Sequence, residues 1–231
     1  MNDLTRPLDV DPPYLHEDYR STHLRAPKEK LLEVPASAYD TPGPYVPKGF
    51  IRGDQDQDLT IHGKGAPLGE RMVVTGRILD ADGKPVRQSL VELWQANASG
   101  RYHHPVDTHD APLDPNFHGM GRVLTDDDGW YRFVTVKPGA YPWLNHPFAW
   151  RPAHLHFSLL GNAPIQRLVT QMYFPGDPLL ALDPVYNSVP DERARERMIC
   201  ALDLQAGIEG DALGYRYDIV LAGAKSTPFG I

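Results

Sequence analysis

The chain has little cysteine and no long apolar run. Cys200 is the only thiol among 231 residues, which excludes an internal disulfide framework and suits a reducing compartment. A bilayer-spanning helix needs about 20 consecutive apolar residues, and the sequence contains no such run. The opening MNDLTRPLDVDPPYLHEDYR lacks the apolar core of a signal peptide. We therefore expect a cytoplasmic protein without a membrane segment.

A concentrated basic region is also lacking. The formal net charge is −7 at pH 7, and the lysines and arginines are scattered along the chain. Nucleic-acid-binding proteins usually carry a basic patch that neutralises phosphates, so we expect no nucleic-acid partner. A hydrophobic content of 41% at this length is enough for one well-buried domain.

Turn-forming residues, in contrast, are abundant. The 23 prolines and 20 glycines fall mostly between strand-like runs. Two pairs of such runs surround the turns at Asp82-Gly83 and Asp128-Gly129, which indicates two hairpins. Further strand-like composition is found in AHLHFSLLG, RLVTQMYFPGD and GYRYDIVLAG. The pattern predicts an all-β fold, an antiparallel β-sandwich with long loops.

Two segments depart from the strand pattern. Residues 1–68 are Pro-rich and polar with little periodicity, so we predict an extended N-terminal arm that packs on a partner. Residues 69–231 then form the β-sandwich catalytic domain. One short helix is predicted in the C-terminal half, at DERARERMICALDL, with Pro190 in its first turn and acidic residues near the positive end of its dipole.

His154-Leu155-His156 is the sharpest local motif. Residues two apart on a strand point to the same face, so both imidazoles can reach one ion. Taken alone, the motif fits equally well two histidines that make ordinary hydrogen bonds. An imidazole pair by itself also suits zinc or copper, and the remaining ligands decide which metal is held.

Two kinds of side chain could complete such a site. Tyr102 and Tyr141 lie at the ends of predicted strands, where they could converge on the histidines. Phenolate is a hard anionic ligand that suits Fe(III), and a bound cation lowers the pKa of tyrosine. Tyrosines at strand ends are more often packing residues, so both readings stay open. The carboxylate alternatives are Asp107, Asp110, Asp114 and Asp126–Asp128.

Several spaced motifs resemble one family in order along most of the chain. They are PGAYPW, WRPAHLHF, VELWQANASGRYHHP, APLDPNFHGMGRVLTDDDGWYRF, GDPL and, in the arm, LHEDYRSTHLRAP. The sequence is similar in these segments to the intradiol ring-cleaving dioxygenases. The resemblance implies one Fe(III) per chain, held by Tyr102, Tyr141, His154 and His156.

The resemblance also implies roles for individual residues. Tyr141 and His154 would be axial ligands and Tyr102 and His156 equatorial ligands, with Tyr141 leaving when substrate binds. Arg151 would stabilise negative charge and Gln171 would support the site. The implied substrate-pocket residues are Tyr19, Trp143 and Val185. We assign no metal role to the remaining histidines near the site, His103, His104, His109, His118 and His146.

The implied reaction is cleavage of a small aromatic diol with O2. Protocatechuate is the expected substrate, and catechol or hydroxyquinol is the alternative within the family. A homologous α-type chain without the iron ligands is the implied partner, in a higher oligomer of αβ units. A non-enzymatic reading also stays open, because GRILDADGKPV and DGWYRFVTVKPG resemble transthyretin-like binding modules.

Overall fold

The computed structural model describes residues 10–32, 49–143, 149–160 and 167–230. Within them the strands are Arg71–Leu79 (β1), Leu90–Trp94 (β2), Met120–Leu124 (β3), Trp130–Val136 (β4), Tyr141–Pro142 (β5), Trp150–Arg151 (β6), His154–Leu160 (β7), Arg167–Tyr173 (β8), Ala201–Leu202 (β9), Leu213–Arg216 (β10) and Ile219–Val220 (β11). The α-helices are Thr22–Arg25 (α1), Asp54–Gln57 (α2), Pro184–Asn187 (α3) and Glu192–Glu196 (α4). Two 3-10 helices occupy Pro178–Leu182 and Leu204–Ala206.

The strands form two main sheets. The first has the order β11-β1-β10-β9, with β4 also pairing with β1, and the second has the order β3-β2-β7-β8. A separate two-stranded ladder joins β5 and β6. The predicted β-sandwich is confirmed, although the first sheet is mixed, because β1 runs parallel to β10 and β11. The prediction of purely antiparallel pairing did not include this return of the chain to β1.

The main core lies between the two sheets. β1 contributes Met72, Val74 and Ile78, and β7 contributes Leu155 and Phe157, all with no exposed surface. These positions follow the alternation expected of strands with one face on a core. The opposite face of β7 is consequently free to carry the two histidines.

The two Asp-Gly turns connect the sheets and do not form hairpins between the long strands. β1 pairs with β4, and β2 pairs with β3 and β7. Each turn closes only locally, through Asp80 N to Lys84 O (2.9 Å) and Asp126 N to Trp130 O (3.0 Å). The hairpin prediction was therefore wrong in pairing, because a tight turn lets the chain cross from one sheet to the other as readily as pair with itself.

The helix predicted at DERARERMICALDL is present but short. Asp191 is the N-cap of α4 and accepts a hydrogen bond from Arg193 N (3.2 Å), so Pro190 precedes the helix. The helix ends early because Ile199 forms a bridge with Tyr173 of β8. The short helices α1, α2 and α3 were not predicted. A membrane-spanning helix is not found among the described residues, and the cytoplasmic location stays a prediction.

The described parts of the N-terminal region contact the sandwich. Val10 packs in a second apolar cluster with Tyr173, and Asp11 Oδ1 accepts a hydrogen bond from Phe229 N (2.9 Å). Leu59, which follows α2, is fully buried in the main core. The domain boundary at residue 69 stays a prediction.

Candidate metal centre

The strand β7 presents His154 and His156 on the face opposite the core. His154 is 2% exposed, whereas Leu155 between them lies in the core. Neighbouring strands supply the surroundings: Gln171 is paired with His156 across β8, and Trp94 is paired with it across β2. The Trp94 ring is parallel to the His156 ring within 2°, at 4.9 Å between centroids. The imidazole plane of His156 is thus set by packing.

Both imidazoles are neutral, and His154 offers a lone pair at Nε2. The Nδ1 of His154 lies 2.7 Å from the carbonyl oxygen of Pro152 and must donate to it, which leaves Nε2 unprotonated. Burial and the positive charge of Arg151 lower the pKa of His156 to about 3 and hold the pKa of His154 well below its usual value. A neutral imidazole is the form that binds metals.

Tyr102 is held by a tight loop after β2. Its backbone N donates to Asp107 Oδ2 (2.7 Å), and Asn97 Oδ1 accepts from Arg101 N (3.0 Å) just before it. Gly100 has φ +78° and approaches Ala140 so closely that a Cβ would lie 2.2 Å from the Ala140 carbonyl oxygen. Only glycine allows this contact. The contact brings the Tyr102 loop against the segment that carries Tyr141.

Tyr141 is placed by the short ladder of β5 and β6, where it is paired with Arg151. β7 begins at His154, three residues after Arg151. Burial raises the pKa of Tyr141, and the nearby positive charge of Arg151 acts against that rise. Burial and Tyr141 raise the pKa of Tyr102 well above its usual value. Both phenols are therefore protonated when no cation is bound.

The four candidate ligand atoms converge. The Tyr102 hydroxyl lies 2.9 Å from His156 Nε2 and 3.4 Å from the Tyr141 hydroxyl. The Tyr141 hydroxyl lies 3.2 Å from His154 Nε2, and the two Nε2 atoms are 3.2 Å apart. Ligand atoms at about 2.0–2.2 Å from one ion lie about 3 Å from each other. The spacing therefore fits a single metal ion.

The tyrosines decide what such a site could hold. In the part of the chain that the structure describes, no group of three or more His, Cys, Asp or Glu side chains is arranged for a metal. Two imidazoles and two ionisable phenols form a nitrogen and oxygen donor set, and two phenolates would bring two negative charges to one cation. This donor set fits Fe(III).

Three of the six carboxylates considered as alternative ligands accept hydrogen bonds from the backbone. Asp107 accepts from the amides of Tyr102 and His109, Asp114 accepts from Leu68 N (2.7 Å), and Asp126 accepts from Trp130 N (2.8 Å). These contacts fix loops and turns. Asp107 nevertheless affects the site indirectly, because it holds the backbone of Tyr102.

Arg151 and Gln171 lie together in a buried polar cluster beside the histidines. Arg151 is 4% exposed, and its Nη2 donates to Gln171 Oε1 and to the Tyr173 hydroxyl (3.0 Å). The Arg151 Nε donates to Asp183 Oδ1 (2.9 Å). A buried guanidinium is stable only when it is paired in this way.

A cavity of about 930 Å³ opens at three of the four candidate ligands, Tyr102, Tyr141 and His156. Tyr102, Tyr141, His156, Trp94 and Trp143 are among its lining residues, so an aromatic ring of diol size would be enclosed largely by apolar surface. The loop histidines His103, His104, His109 and His118 also line it. His146 lies outside the described residues.

The three predicted substrate-pocket residues have different positions. Trp143 lines the cavity, and Tyr19 packs on it with ring centroids 5.1 Å apart. Tyr19 is 8% exposed, and the Arg25 guanidinium lies over its ring, 4.4 Å from the centroid. Val185 is buried in α3, behind the Arg151 cluster, and is not on the cavity lining.

Sequence reasoning missed Asp177 and Asp183. Each is an N-cap followed by proline, at the 3-10 helix Pro178–Leu182 and at α3. Each also bonds the segment before the histidines, Asp177 to Ala153 N (3.1 Å) and Asp183 to Arg151. The repeated Asp-Pro pattern is a helix-start signal that could have located both caps, but nothing in the sequence indicates the second contact.

The chain is similar to known proteins in sequence and in fold. The sequence matches the family model described as "Dioxygenase" over residues 42–223 and the model "Protocatechuate 3,4-dioxygenase beta subunit N terminal" over residues 5–37. It is 57% identical over 219 residues to the protocatechuate 3,4-dioxygenase beta chain of Burkholderia cepacia, covering 94% of this chain and 92% of that one. The protocatechuate 3,4-dioxygenase alpha chain of Pseudomonas putida is 31% identical over 88% of this chain and 98% of its own. The structure of catechol 1,2-dioxygenase from Pseudomonas arvilla C-1 has a TM-score of 0.54 and 27% identity, over 74% of this chain and 57% of that one.

Proposed function

The chain belongs to the intradiol ring-cleaving dioxygenases, and from that membership we propose that it is the iron-carrying β chain of a protocatechuate 3,4-dioxygenase. In this reaction of aromatic catabolism, the bond between the two hydroxyl-bearing ring carbons breaks, each of these carbons gains one atom of O2 and becomes a carboxylate, and protocatechuate becomes 3-carboxy-cis,cis-muconate. The observation that supports the proposal most is the 57% identity over 94% of the chain. The convergence of two phenols and two neutral imidazoles supports it independently.

We propose that Tyr102, Tyr141, His154 and His156 hold one Fe(III) per chain. Two phenolates and one hydroxide would balance its three positive charges, which makes burial of the site inexpensive. When bound, the ferric ion would supply Lewis-acid activation of the diol and a template for its reaction with O2.

The protein side chains would then handle protons and charge. Tyr141 Oη is our candidate acceptor for the proton of one substrate hydroxyl, since it borders both the cavity and Arg151. The Arg151 guanidinium, fixed by buried partners, would stabilise negative charge that develops on the ring. Gln171 would orient Arg151 through its Oε1.

The cavity wall would position the ring. Trp94 and Trp143 supply flat apolar surfaces that exclude water and strengthen the electrostatic contacts within the site. We retain Tyr19 as a candidate for contact with the substrate carboxylate, since it packs on Trp143. Val185 would act from behind, by supporting the Arg151 cluster at α3.

We further propose a homologous α-type chain as partner, in a higher oligomer of αβ units. Relatives of this chain include both alpha and beta chains of protocatechuate 3,4-dioxygenase. The described part of the arm exposes large apolar side chains, namely Tyr14, Leu15, Leu24, Leu31 and Leu32. Several exposed apolar residues in one segment are typical of a surface that another chain covers.

Oxygen uptake and visible absorption together test the function. We expect the purified, iron-loaded protein to be coloured by phenolate-to-iron charge transfer, with a band that shifts when protocatechuate is added without oxygen. Oxygen consumption should be fastest with protocatechuate, and catechol and hydroxyquinol serve as competing substrates. Faster turnover of either competitor would refute the substrate assignment. A folded, colourless protein that consumes no oxygen with any of the three diols would support a binding module.

A further inference from the structure

Arg151 is held along one edge of its guanidinium. Its Nε donates to Asp183 Oδ1 (2.9 Å) and its Nη2 donates to Asp183 Oδ2 (3.1 Å), which is a bidentate pair. Gln171 and Tyr173 also accept from Nη2. Asp183 is thus the partner that engages both Nε and Nη2, and a bidentate carboxylate fixes the plane of a guanidinium as well as its position.

Asp183 is itself rigidly placed. It has no exposed surface, and its Oδ1 also accepts from Val185 N (3.2 Å), which caps the first turn of α3. Its backbone carbonyl accepts from Asn187 N (3.0 Å) in the same helix. The carboxylate therefore transmits the position of α3 to the guanidinium of Arg151.

We propose that Asp183 is a positioning residue for the ring-cleavage reaction: its carboxylate holds the Arg151 guanidinium beside Tyr141 and the diol. This inference rests on the function proposed above. It extends that function to a residue outside the ligand set and outside the cavity lining. Asp183 does not touch the substrate, so its effect on turnover passes through Arg151.

Loss of this carboxylate should affect the reaction more than the binding of substrate. An asparagine in place of Asp183 keeps one oxygen for the α3 cap but offers Arg151 a single acceptor and a repelling NH2 group. The guanidinium then loses its bidentate partner and can turn about its remaining contacts with Gln171, Tyr173 and the single asparagine oxygen. A misplacement of about 1 Å can reduce a rate about 100-fold, whereas the cavity that binds the ring is unchanged.

Asp177 provides a matched control on the same segment. It is also an N-cap aspartate followed by proline, it also bonds the segment just before β7, and the structure gives it no contact with Arg151. Asp183→Asn should lower kcat about 10- to 100-fold with KM changed less than about threefold. Asp177→Asn should change both values less than about threefold, and both variants should retain the wild-type iron content. Equal losses of kcat in the two variants, or a loss confined to KM in Asp183→Asn, would overturn the proposal.

A binding measurement separates this role from a general disturbance of the site. Anaerobic titration with protocatechuate, followed by visible absorption, should give the same dissociation constant for Asp183→Asn and wild type within about threefold. A dissociation constant raised as strongly as kcat is lowered would mean that Asp183 shapes the pocket and does not act through Arg151.

Removing one partner of a buried pair can prevent folding. If Asp183→Asn does not fold, the test compares Arg151→Gln with the double variant Arg151→Gln/Asp183→Asn. The double variant removes both charges of the buried pair. The proposal requires the same kcat for these two proteins, since Asp183 has no guanidinium left to position. A further drop of about tenfold in the double variant would overturn it. Wild-type protein that consumes no oxygen with any diol would instead refute the proposed function, and the inference with it.

Discussion

One hydroxyl group distinguishes tyrosine from phenylalanine, and this chain allows that group to be removed at a half-buried and at a buried position. Tyr102→Phe deletes a candidate metal ligand 2.9 Å from His156 Nε2. Tyr131→Phe deletes a hydroxyl that donates to the Tyr217 carbonyl oxygen, inside the main core. We expect Tyr102→Phe to lose most of its iron and its visible band, with oxygen uptake lowered at least about 100-fold.

The control should behave oppositely in the same assays. Tyr131→Phe should keep iron and colour and lose about 1 kcal/mol of unfolding free energy, the usual contribution of one buried hydrogen bond. Metal analysis and urea unfolding measure the two quantities. Full iron content in Tyr102→Phe would remove this tyrosine from the proposed ligand set.

The parts of the site differ in how far sequence alone could predict them. His154 and His156 follow from strand periodicity, which is a local property. Tyr102 and Tyr141 required the family resemblance, because their approach depends on Gly100 fitting against Ala140. Asp183 was not predicted at all, since its contact with Arg151 joins residues 32 positions apart and leaves no periodic signal.

At the scale of elements, the two loops that carry the tyrosines meet at a glycine. Gly100→Ala would place a Cβ 2.2 Å from the Ala140 carbonyl oxygen, and φ is +78° there. Gly83 has φ +77° with nothing near its Cβ position, so Gly83→Ala isolates the cost of the backbone conformation. We expect about 1 kcal/mol of destabilisation for Gly83→Ala and at least about 3 kcal/mol, with loss of iron, for Gly100→Ala.

Urea unfolding and metal analysis of both glycine variants provide the measurement. The difference between them reports the close approach of the loops, since the strain of positive φ is common to both. Equal destabilisation, with iron retained by Gly100→Ala, would show that the interlocked loops do not set the position of the tyrosines.

The helix α2 is attached to the second sheet by a buried carboxylate. Burial raises the pKa of Asp56, but hydrogen bonds from Arg52 and Arg122 outweigh this effect and lower the pKa to about 2. The ionised Asp56 carboxylate therefore stabilises the folded state fully above about pH 4, and this stabilisation is lost as the pH falls towards 2. We expect Asp56→Asn to lower the unfolding free energy by about 1–2 kcal/mol at pH 7. The loss is limited to this range because solvent screens the ion pair at the exposed Arg52 side chain.

Urea unfolding at pH 7, 5 and 3 tests the sign of this effect. The difference between wild type and Asp56→Asn should shrink by about half at pH 3. Asp54→Asn on the same helix removes only an exposed contact with Gln57 and should change the unfolding free energy by less than about 0.5 kcal/mol at pH 7. If the difference in unfolding free energy between wild type and Asp56→Asn grew at low pH, the ionised Asp56 carboxylate would not be the stabilising group.

Element existence was easier to predict than element pairing. Alternation identified β1 and β2, and strand-like composition identified β7 and β8. Alternation does not record which sheet a strand joins, so the turns at Gly83 and Gly129 were interpreted as hairpins although they cross between sheets. The parallel pairing of β1 with β10 joins residues about 140 positions apart, a distance that no local pattern encodes.

At the scale of the whole molecule, some apolar side chains of the N-terminal region are buried and others are exposed. Val10 and Tyr19 are buried against the sandwich, whereas Leu24 and Leu32 are 89% and 90% exposed. Leaving such leucines in water gives up about 1.5–3 kcal/mol each relative to burial. The buried residues fix the arm on this chain, and the exposed ones are available to the proposed α-type partner.

Substitution of the exposed leucines tests whether they contact the α-type partner. Leu24→Ser combined with Leu32→Ser should weaken association with the α-type chain at least about tenfold and leave the unfolding free energy of the isolated chain within about 0.5 kcal/mol. Leu204→Ser, at a position 67% exposed and distant in sequence, is the control and should leave association unchanged. Sedimentation of the mixed chains measures the complex. Undiminished association of the double variant would assign the partner surface to another face, because these two leucines are the most exposed large apolar residues of the described chain.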